Sequence, residues 1–159
     1  LIAFRPPVNH SCPIRDLLIL ADRGYSFETI EHIQNTFRVS FEAAARSVTE
    51  LCDDPASVLF CSLIIDSING NSFAIDKFVA AQSFPFYIYA KTWRLPFLCL
   101  RRATQSDMLI RTTESWQIDG TASYQCEFAA KRMFFYVNKM RVEGVIVVVT
   151  NPKVSGFLK

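Results

Sequence analysis

The chain has 159 residues, of which half are hydrophobic and 14 are phenylalanine. This length fits one domain, or a small unit plus one domain, and the composition excludes a disordered chain. The 17 basic and 15 acidic residues leave a net charge of +2, which gives no strong field for nucleic acid or an anionic membrane. No apolar run approaches the roughly 18 residues of a membrane-spanning helix. Two prolines interrupt Leu1–Val8, so we expect no signal peptide in that segment.

Five cysteines stand at positions 12, 52, 61, 99 and 126, an odd number with no Cys-x-x-Cys pair. This pattern disfavours a secreted disulfide framework and a zinc knuckle. Cys61, Cys99 and Cys126 lie in apolar stretches, so we expect buried, reduced thiols in a cytoplasmic protein.

The first fifty residues follow a helical pattern. Pro13 can open a helix that ends at Gly24, Ser26 is a candidate N-cap for a second helix, and Ser40 for a third. Asp53, Asp54 and Pro55 stop the third helix. We therefore predict that residues 1–54 form a unit of three helices that resembles a helix-turn-helix.

From Ser57 onward the sequence favours strands. Val58–Ile65 is a continuous apolar run, and Asn69-Gly70 is a strong hairpin signal before a return strand over Phe73–Val79. Met108–Ile118 and the segment 121–130 alternate around a second turn signal at Asp119-Gly120. Further strands are predicted over Phe134–Val137 and Gly144–Thr150, whereas residues 84–100 are expected to be irregular. The fold class is α+β, with an antiparallel sheet of about five strands over residues 55–159.

No motif of the sequence supplies a catalytic or metal site. The two histidines, His10 and His32, are not spaced as in His-Glu-x-x-His, and neither a Gly-x-Ser-x-Gly elbow nor a phosphate-binding loop occurs. We expect no catalytic residue, no metal ligand, no cofactor and no enzymatic activity in this chain.

The segment Ile30–Leu51 allows two interpretations. It can be a DNA-binding helix-turn-helix, but its second helix would present Glu42 and Glu50 with only one arginine, Arg46. The alternative, which we favour, is that the two helices lie against a neighbouring domain. DNA binding by this chain alone is therefore not expected.

Residues 84–102 combine aromatic and basic side chains. They can form a core capped by charges, a pocket for a small acid with an arginine anchor, or a stacking surface for single-stranded nucleic acid. For the pocket, the candidate ligand-binding residues are Phe86, Tyr89, Trp93, Arg94, Phe97 and Trp116.

Two short stretches carry a family resemblance. Ile30–Leu51 resembles the end of the ImmA/IrrE metallopeptidase-like family, with Phe37, Val39-Ser40, Ala44, Arg46 and Leu51 at the matching positions, and Leu1–Pro7 resembles an upstream segment of that family. The remainder resembles the C-terminal region of short-chain fatty acyl transcriptional regulators, through Leu95–Leu98, Arg111, Asp119-Gly120 and Tyr124. Leu95 and Leu98 replace a Cys and a Trp of that motif, so no metal or redox role is carried over from that Cys.

The resemblance implies the regulatory tail of a bacterial, cytoplasmic transcription regulator. The tail would contain a GAF-like sensor domain, and a zinc-peptidase-like module would precede Leu1. The expected partners are a small-molecule ligand, that missing N-terminal domain and a second copy of the chain, with no membrane. A DNA-binding module and a protein-interaction or dimerisation domain are the alternative functions.

Overall fold

The computed structural model describes residues 19, 22–68, 70–85, 97–118 and 122–157. These residues form three helices and five strands. The helices are α1 (Phe27–Phe37), α2 (Phe41–Leu51) and α3 (Leu98–Thr104), and the strands are β1 (Ser57–Ile64), β2 (Ser72–Ala80), β3 (Ile110–Ile118), β4 (Ala122–Val137) and β5 (Met140–Phe157). The α+β class is therefore confirmed, with α3 inserted between β2 and β3.

Both serine caps predicted from the sequence are present. The Ser26 hydroxyl accepts the backbone N–H of Thr29 at 3.1 Å, and the Ser40 hydroxyl accepts that of Ala43 at the same distance. Each bond satisfies an N–H that the first helical turn leaves without an intrahelical partner. The first predicted helix, between Pro13 and Gly24, lies almost entirely outside the described residues.

The five strands form one antiparallel sheet in the order β2-β1-β5-β4-β3. The pairing of β1 with β2 confirms the predicted hairpin, and Gly70 has a φ of 79°. The last pair is Ile64 with Ser72, so seven residues separate the strands, more than the two-residue turn typical of an Asn-Gly signal. The predicted strands Phe134–Val137 and Gly144–Thr150 are parts of the longer strands β4 and β5. These two strands continue to a two-residue turn at Asn138 and Lys139. Both turn residues have positive φ, as a tight hairpin with right-handed strand twist requires.

Each face of the sheet has its own hydrophobic core. One face, called here the two-helix face, packs against α1 and α2 around Phe27, Ile30, Val48, Phe60 and Ile146. The helices thus lie against the sheet, as the structural interpretation of Ile30–Leu51 predicts.

The opposite face, called the α3 face, packs against α3 and is rich in aromatic residues and thiols. Two predictions are wrong here. Residues 98–100 belong to α3 and are not irregular, and Met108 precedes β3 and is exposed, so it does not share the buried side of that strand.

Candidate functional site

Only two of the six predicted ligand-binding residues lie within the described part of the chain. Phe97 and Trp116 meet edge to face with ring centroids 5.0 Å apart, and Phe97 also lies 4.6 Å from Phe128. All three rings are buried in the core of the α3 face. These ring contacts stabilise the docking of α3 against the sheet. Phe86, Tyr89, Trp93 and Arg94 lie outside the described residues.

Beside this aromatic cluster, a carboxylate holds the start of α3. Glu114 of β3 accepts the backbone N–H of Leu98 at 2.6 Å and that of Cys99 at 3.1 Å, and Thr112 donates its hydroxyl to the same carboxylate at 2.5 Å. A negative charge at a helix N-terminus is favourable because the first N–H groups and the helix dipole point at it. Glu114 therefore replaces the local cap that the sequence of α3 lacks.

The thiols on the α3 face are poorly reactive at neutral pH. Burial raises the pKa of the Cys61, Cys99 and Cys126 thiols, and for Cys99 the negative charge of Glu114 adds to the effect. Burial raises the pKa of Cys126 to about 11. The nucleophilic thiolate is therefore scarce at neutral pH, and the prediction of buried, free cysteines is confirmed at these three positions.

A β-bulge in β2 adds one carboxylate, that of Asp76, near the Cys61 thiol. Phe60 pairs with Lys77 and Cys61 with Ile75, so Asp76 is the extra residue of β2. Among the described residues, the Asp76 Oδ2 atom is buried and has no hydrogen-bond partner. No group of three or more His, Cys, Asp or Glu side chains in the described part of the chain is arranged to hold a metal ion.

An open cavity lies on the two-helix face of the sheet. We call it the junction groove, because it lies where the helices meet the sheet and holds a volume of about 550 Å³. One wall is the chain that enters α1, and the other is the connection from α2 to β1. The residues of the groove are Arg23, Gly24, Tyr25, Ser26, Phe27, Asp54, Pro55, Arg111, Thr112, Thr113, Glu127, Phe128, Ala129, Val148, Thr150 and Asn151.

The floor of the junction groove follows from strand register. Thr113 pairs with Glu127, which pairs with Thr150, so two hydroxyls flank one carboxylate in a row across three strands. Asn151 donates its side-chain N–H to Glu127 at 2.7 Å and has a φ of 50°, a conformation that asparagine tolerates better than most residues. This row gives the floor several hydrogen-bonding groups at fixed positions.

The walls of the groove are tied together by polar contacts. The Asp54 carboxylate accepts the backbone N–H of Tyr25 at 3.2 Å, and Arg111 of β3 forms an ion pair with Glu28 of α1. Arg23, at the mouth, is exposed and forms no ion pair with any other described residue. The arrangement has the mixture of positioned polar groups and partly apolar floor that small-molecule sites share.

The sequence contained little signal for this groove. Asp54 and Pro55 indicated only the end of a helix, and Thr113, Glu127 and Thr150 indicated only solvent-facing strand positions. Their meeting depends on the register of three strands. Of the two histidines, His32 is exposed on α1, and His10 lies outside the described residues.

No helix in the described ranges is both long enough and apolar enough to cross a membrane. No model of a known protein family matches the chain. No curated protein shows significant similarity to it.

Proposed function

We propose that this chain is the sensor portion of a bacterial, cytoplasmic transcription regulator, and that it binds a small polar ligand in the junction groove. The observation that carries the proposal is the groove itself, whose walls come from the segments that flank the two helices and whose floor comes from the sheet. A ligand in this position touches both parts of the molecule at once. The chain would act by binding, without catalysis, and the GAF-like character expected from the sequence belongs to the same proposal.

The chemistry of the groove favours a ligand with an acidic group and further polar atoms. Arg23 offers a cation at the mouth, and Thr113 and Thr150 offer hydroxyls that both donate and accept. Glu127 disfavours a second negative charge at the centre of the floor. A short carboxylic acid, or the thioester of one with a polar carrier, has this distribution of groups.

Binding there would couple to the position of the helices. A ligand that binds the folded chain alone stabilises it by RT ln(1 + [L]/Kd), which is about 2.7 kcal/mol at a concentration one hundred times Kd. Because the ligand would bridge α1 and the sheet, part of that free energy would oppose separation of the helices from the sheet. That coupling would be a means of passing a signal to the N-terminal domain that the family resemblance implies.

The test is a thermal-shift screen of short carboxylic acids and acyl-coenzyme A thioesters, followed by calorimetry on any hit. Thr113→Trp should abolish binding, since Thr113 is an exposed residue of the floor and the indole would fill the groove. Ser115→Trp is the matched control, because it adds the same ring to an exposed position of the same strand outside the groove. Equal loss of binding in both variants, or no stabilisation by any compound, would count against the junction groove.

The aromatic pocket predicted from residues 86–97 and Trp116 stays a second location for the same function. Substitution of Trp116 or Phe97 would weaken binding of a ligand held there, whereas Thr113→Trp would not. The same screen therefore distinguishes the two locations.

DNA binding by α1 and α2 has less support. The outward face of α2 is partly neutralised, because Glu42 pairs with Arg46 at 3.0 Å and with Lys77 at 2.7 Å. A gel shift at low salt should therefore give no useful binding, and a complex that weakens steeply with added salt would restore this alternative.

A further inference from the structure

Apolar side chains on the α3 face stay exposed where the sheet extends beyond α3. Phe134 is 53% exposed, Tyr136 is 60% exposed and Leu63 is 39% exposed. They lie near the turn that joins β4 and β5, together with the charged residues Arg141 and Glu143 of β5. These five residues are called the tip patch.

Strand register arranges the tip patch in two rows. Phe134 pairs with Glu143 in one row, and Tyr136 pairs with Arg141 in the next. All four side chains point to the α3 face, because Phe135 and Val142 between them pack in the core of the two-helix face. Each row therefore has one aromatic ring on β4 and one charge on β5, and the two charges are opposite.

We propose that the tip patch is the contact surface of a homodimer in which two sheets lie face to face. A two-fold axis between the two rows, running across the strands, places β4 over β4 and β5 over β5 with reversed direction. Phe134 then faces Tyr136 of the second copy, and Arg141 faces Glu143 of the second copy. Each contact occurs twice, as a two-fold interface requires.

The arrangement is complementary to itself in charge, and its aromatic rings face aromatic rings. Two aromatic rings of one copy meet two of the other, and the apolar side chain of Leu63 lies on the far side of Glu143. Arg141 is already placed for the interface, because its guanidinium lies 3.8 Å from the centroid of the Phe134 ring. Glu143 is more than half exposed, and within the described part of the chain its one ion-pair contact is a long one of 3.6 Å, to Arg132, so its carboxylate is available to a second partner. A patch with two charges of the same sign would repel a second copy, whereas the opposite charges of Arg141 and Glu143 attract one, and this favours a second copy as the partner.

The test measures self-association of the 159-residue chain by sedimentation velocity over a range of concentrations. Glu143→Arg and Arg141→Glu each place like charges opposite one another at two points of the dimer. Either substitution should raise the dimer dissociation constant by about tenfold or more, since juxtaposed like charges are costly at an interface. The double variant R141E/E143R restores both pairs and should dimerise better than either single variant.

Lys153→Glu is the control, because it reverses an exposed charge on the same strand away from the tip patch and should leave the constant unchanged. Circular dichroism verifies that every variant is folded. A wild-type chain that stays monomeric up to millimolar concentration overturns the proposal. A dimer that neither single charge reversal weakens, or that the double variant fails to recover, shows a different interface and overturns it as well.

Discussion

Gly144 is a residue whose missing side chain matters to the whole sheet. A Cβ atom built there would lie 2.2 Å from the carbonyl oxygen of Cys61 on β1 and 2.6 Å from Cε1 of Phe135. The first neighbour is backbone of a central strand and cannot turn aside. Glycine is thus required by close approach at this point, and not by an unusual backbone conformation.

We expect Gly144→Ala to lower the free energy of unfolding by about 2–3 kcal/mol, because overpacking forces backbone and ring to shift. Urea unfolding measures the change. Lys153→Ala, an exposed site on the same strand, should stay within about 0.5 kcal/mol of the wild type. A Gly144→Ala variant as stable as that control would mean that β1 can move away at little cost.

Tyr25 links the start of α1 to α2 through its hydroxyl. The Tyr25 oxygen lies 2.9 Å from Thr49 Oγ1, and Thr49 itself donates to the carbonyl of Ala45 at 2.7 Å, so Tyr25 is the donor of the pair. Burial raises the pKa of Tyr25 to about 12, partly offset by that hydrogen bond, with a small further rise from Cys52. The neutral phenol is therefore the form that the folded chain holds.

The sign of the pH dependence follows from this shift. The folded pKa of Tyr25, about 12, exceeds the unfolded value of about 10, so the contribution of this group is complete below pH 10 and is lost as the pH rises towards 12. The loss should amount to about 2–3 kcal/mol. The measurement is the difference in unfolding free energy between wild type and Tyr25→Phe from about pH 8 to 12. A difference that stays constant over that range would show that the phenol ionises equally easily in both states.

At the scale of the element, the turn between β4 and β5 holds two non-glycine residues in the left-handed region of backbone conformation, a strain that glycine would relieve. Lys139 has a φ of 66° and Asn138 a φ of 49° in a two-residue hairpin turn. Glycine is favoured at the second position of such a turn, whereas a lysine there bears the steric cost of the left-handed region.

We expect Lys139→Gly to raise the free energy of unfolding by about 0.5–1 kcal/mol, the relief of strain exceeding the added entropy of the unfolded chain. Asn138→Gly should change it much less, because asparagine tolerates positive φ. Thermal and urea unfolding of both variants measure the pair of effects. Equal effects of the two substitutions would show that side-chain identity in this turn is of no consequence.

The elements that the sequence predicted well are those with local signals. Ser26 and Ser40 cap their own helices, and Gly70 marks its own turn. Helix α3 had no such signal, because its cap is Glu114, sixteen residues further along the chain. The turn at Asn138 and Lys139 was missed for a related reason, since it has no glycine and lies within a long alternating stretch.

At the scale of the whole molecule, the candidate sites depend on register between distant strands. The junction groove combines residues from α1, the α2–β1 connection and three strands, and no spacing along the sequence reveals that combination. Phe97 and Trp116 could be paired from their aromatic character, and they do meet, but in a closely packed core. What the sequence shows is which residues are apolar, whereas the structure determines which of them remain accessible.

The division of the chain at residue 54, predicted from the change of pattern, can be tested through the core that the two parts share. The side chains of Val58, Phe60, Ile146 and Val148 are at most 1% exposed, and they pack with the apolar faces of α1 and α2. Removal of residues 1–54 would uncover this contiguous apolar surface, which a monomeric protein rarely exposes. We therefore expect residues 55–159 alone to aggregate or to lose cooperative unfolding, while the 159-residue chain unfolds in one transition seen alike by tryptophan fluorescence and circular dichroism. The control is the same deletion with the 1–54 peptide added back, which should recover part of the native signal if the shared core is responsible. A cooperative, monomeric 55–159 chain with an unchanged unfolding midpoint would show instead that the sheet is stable without the two helices.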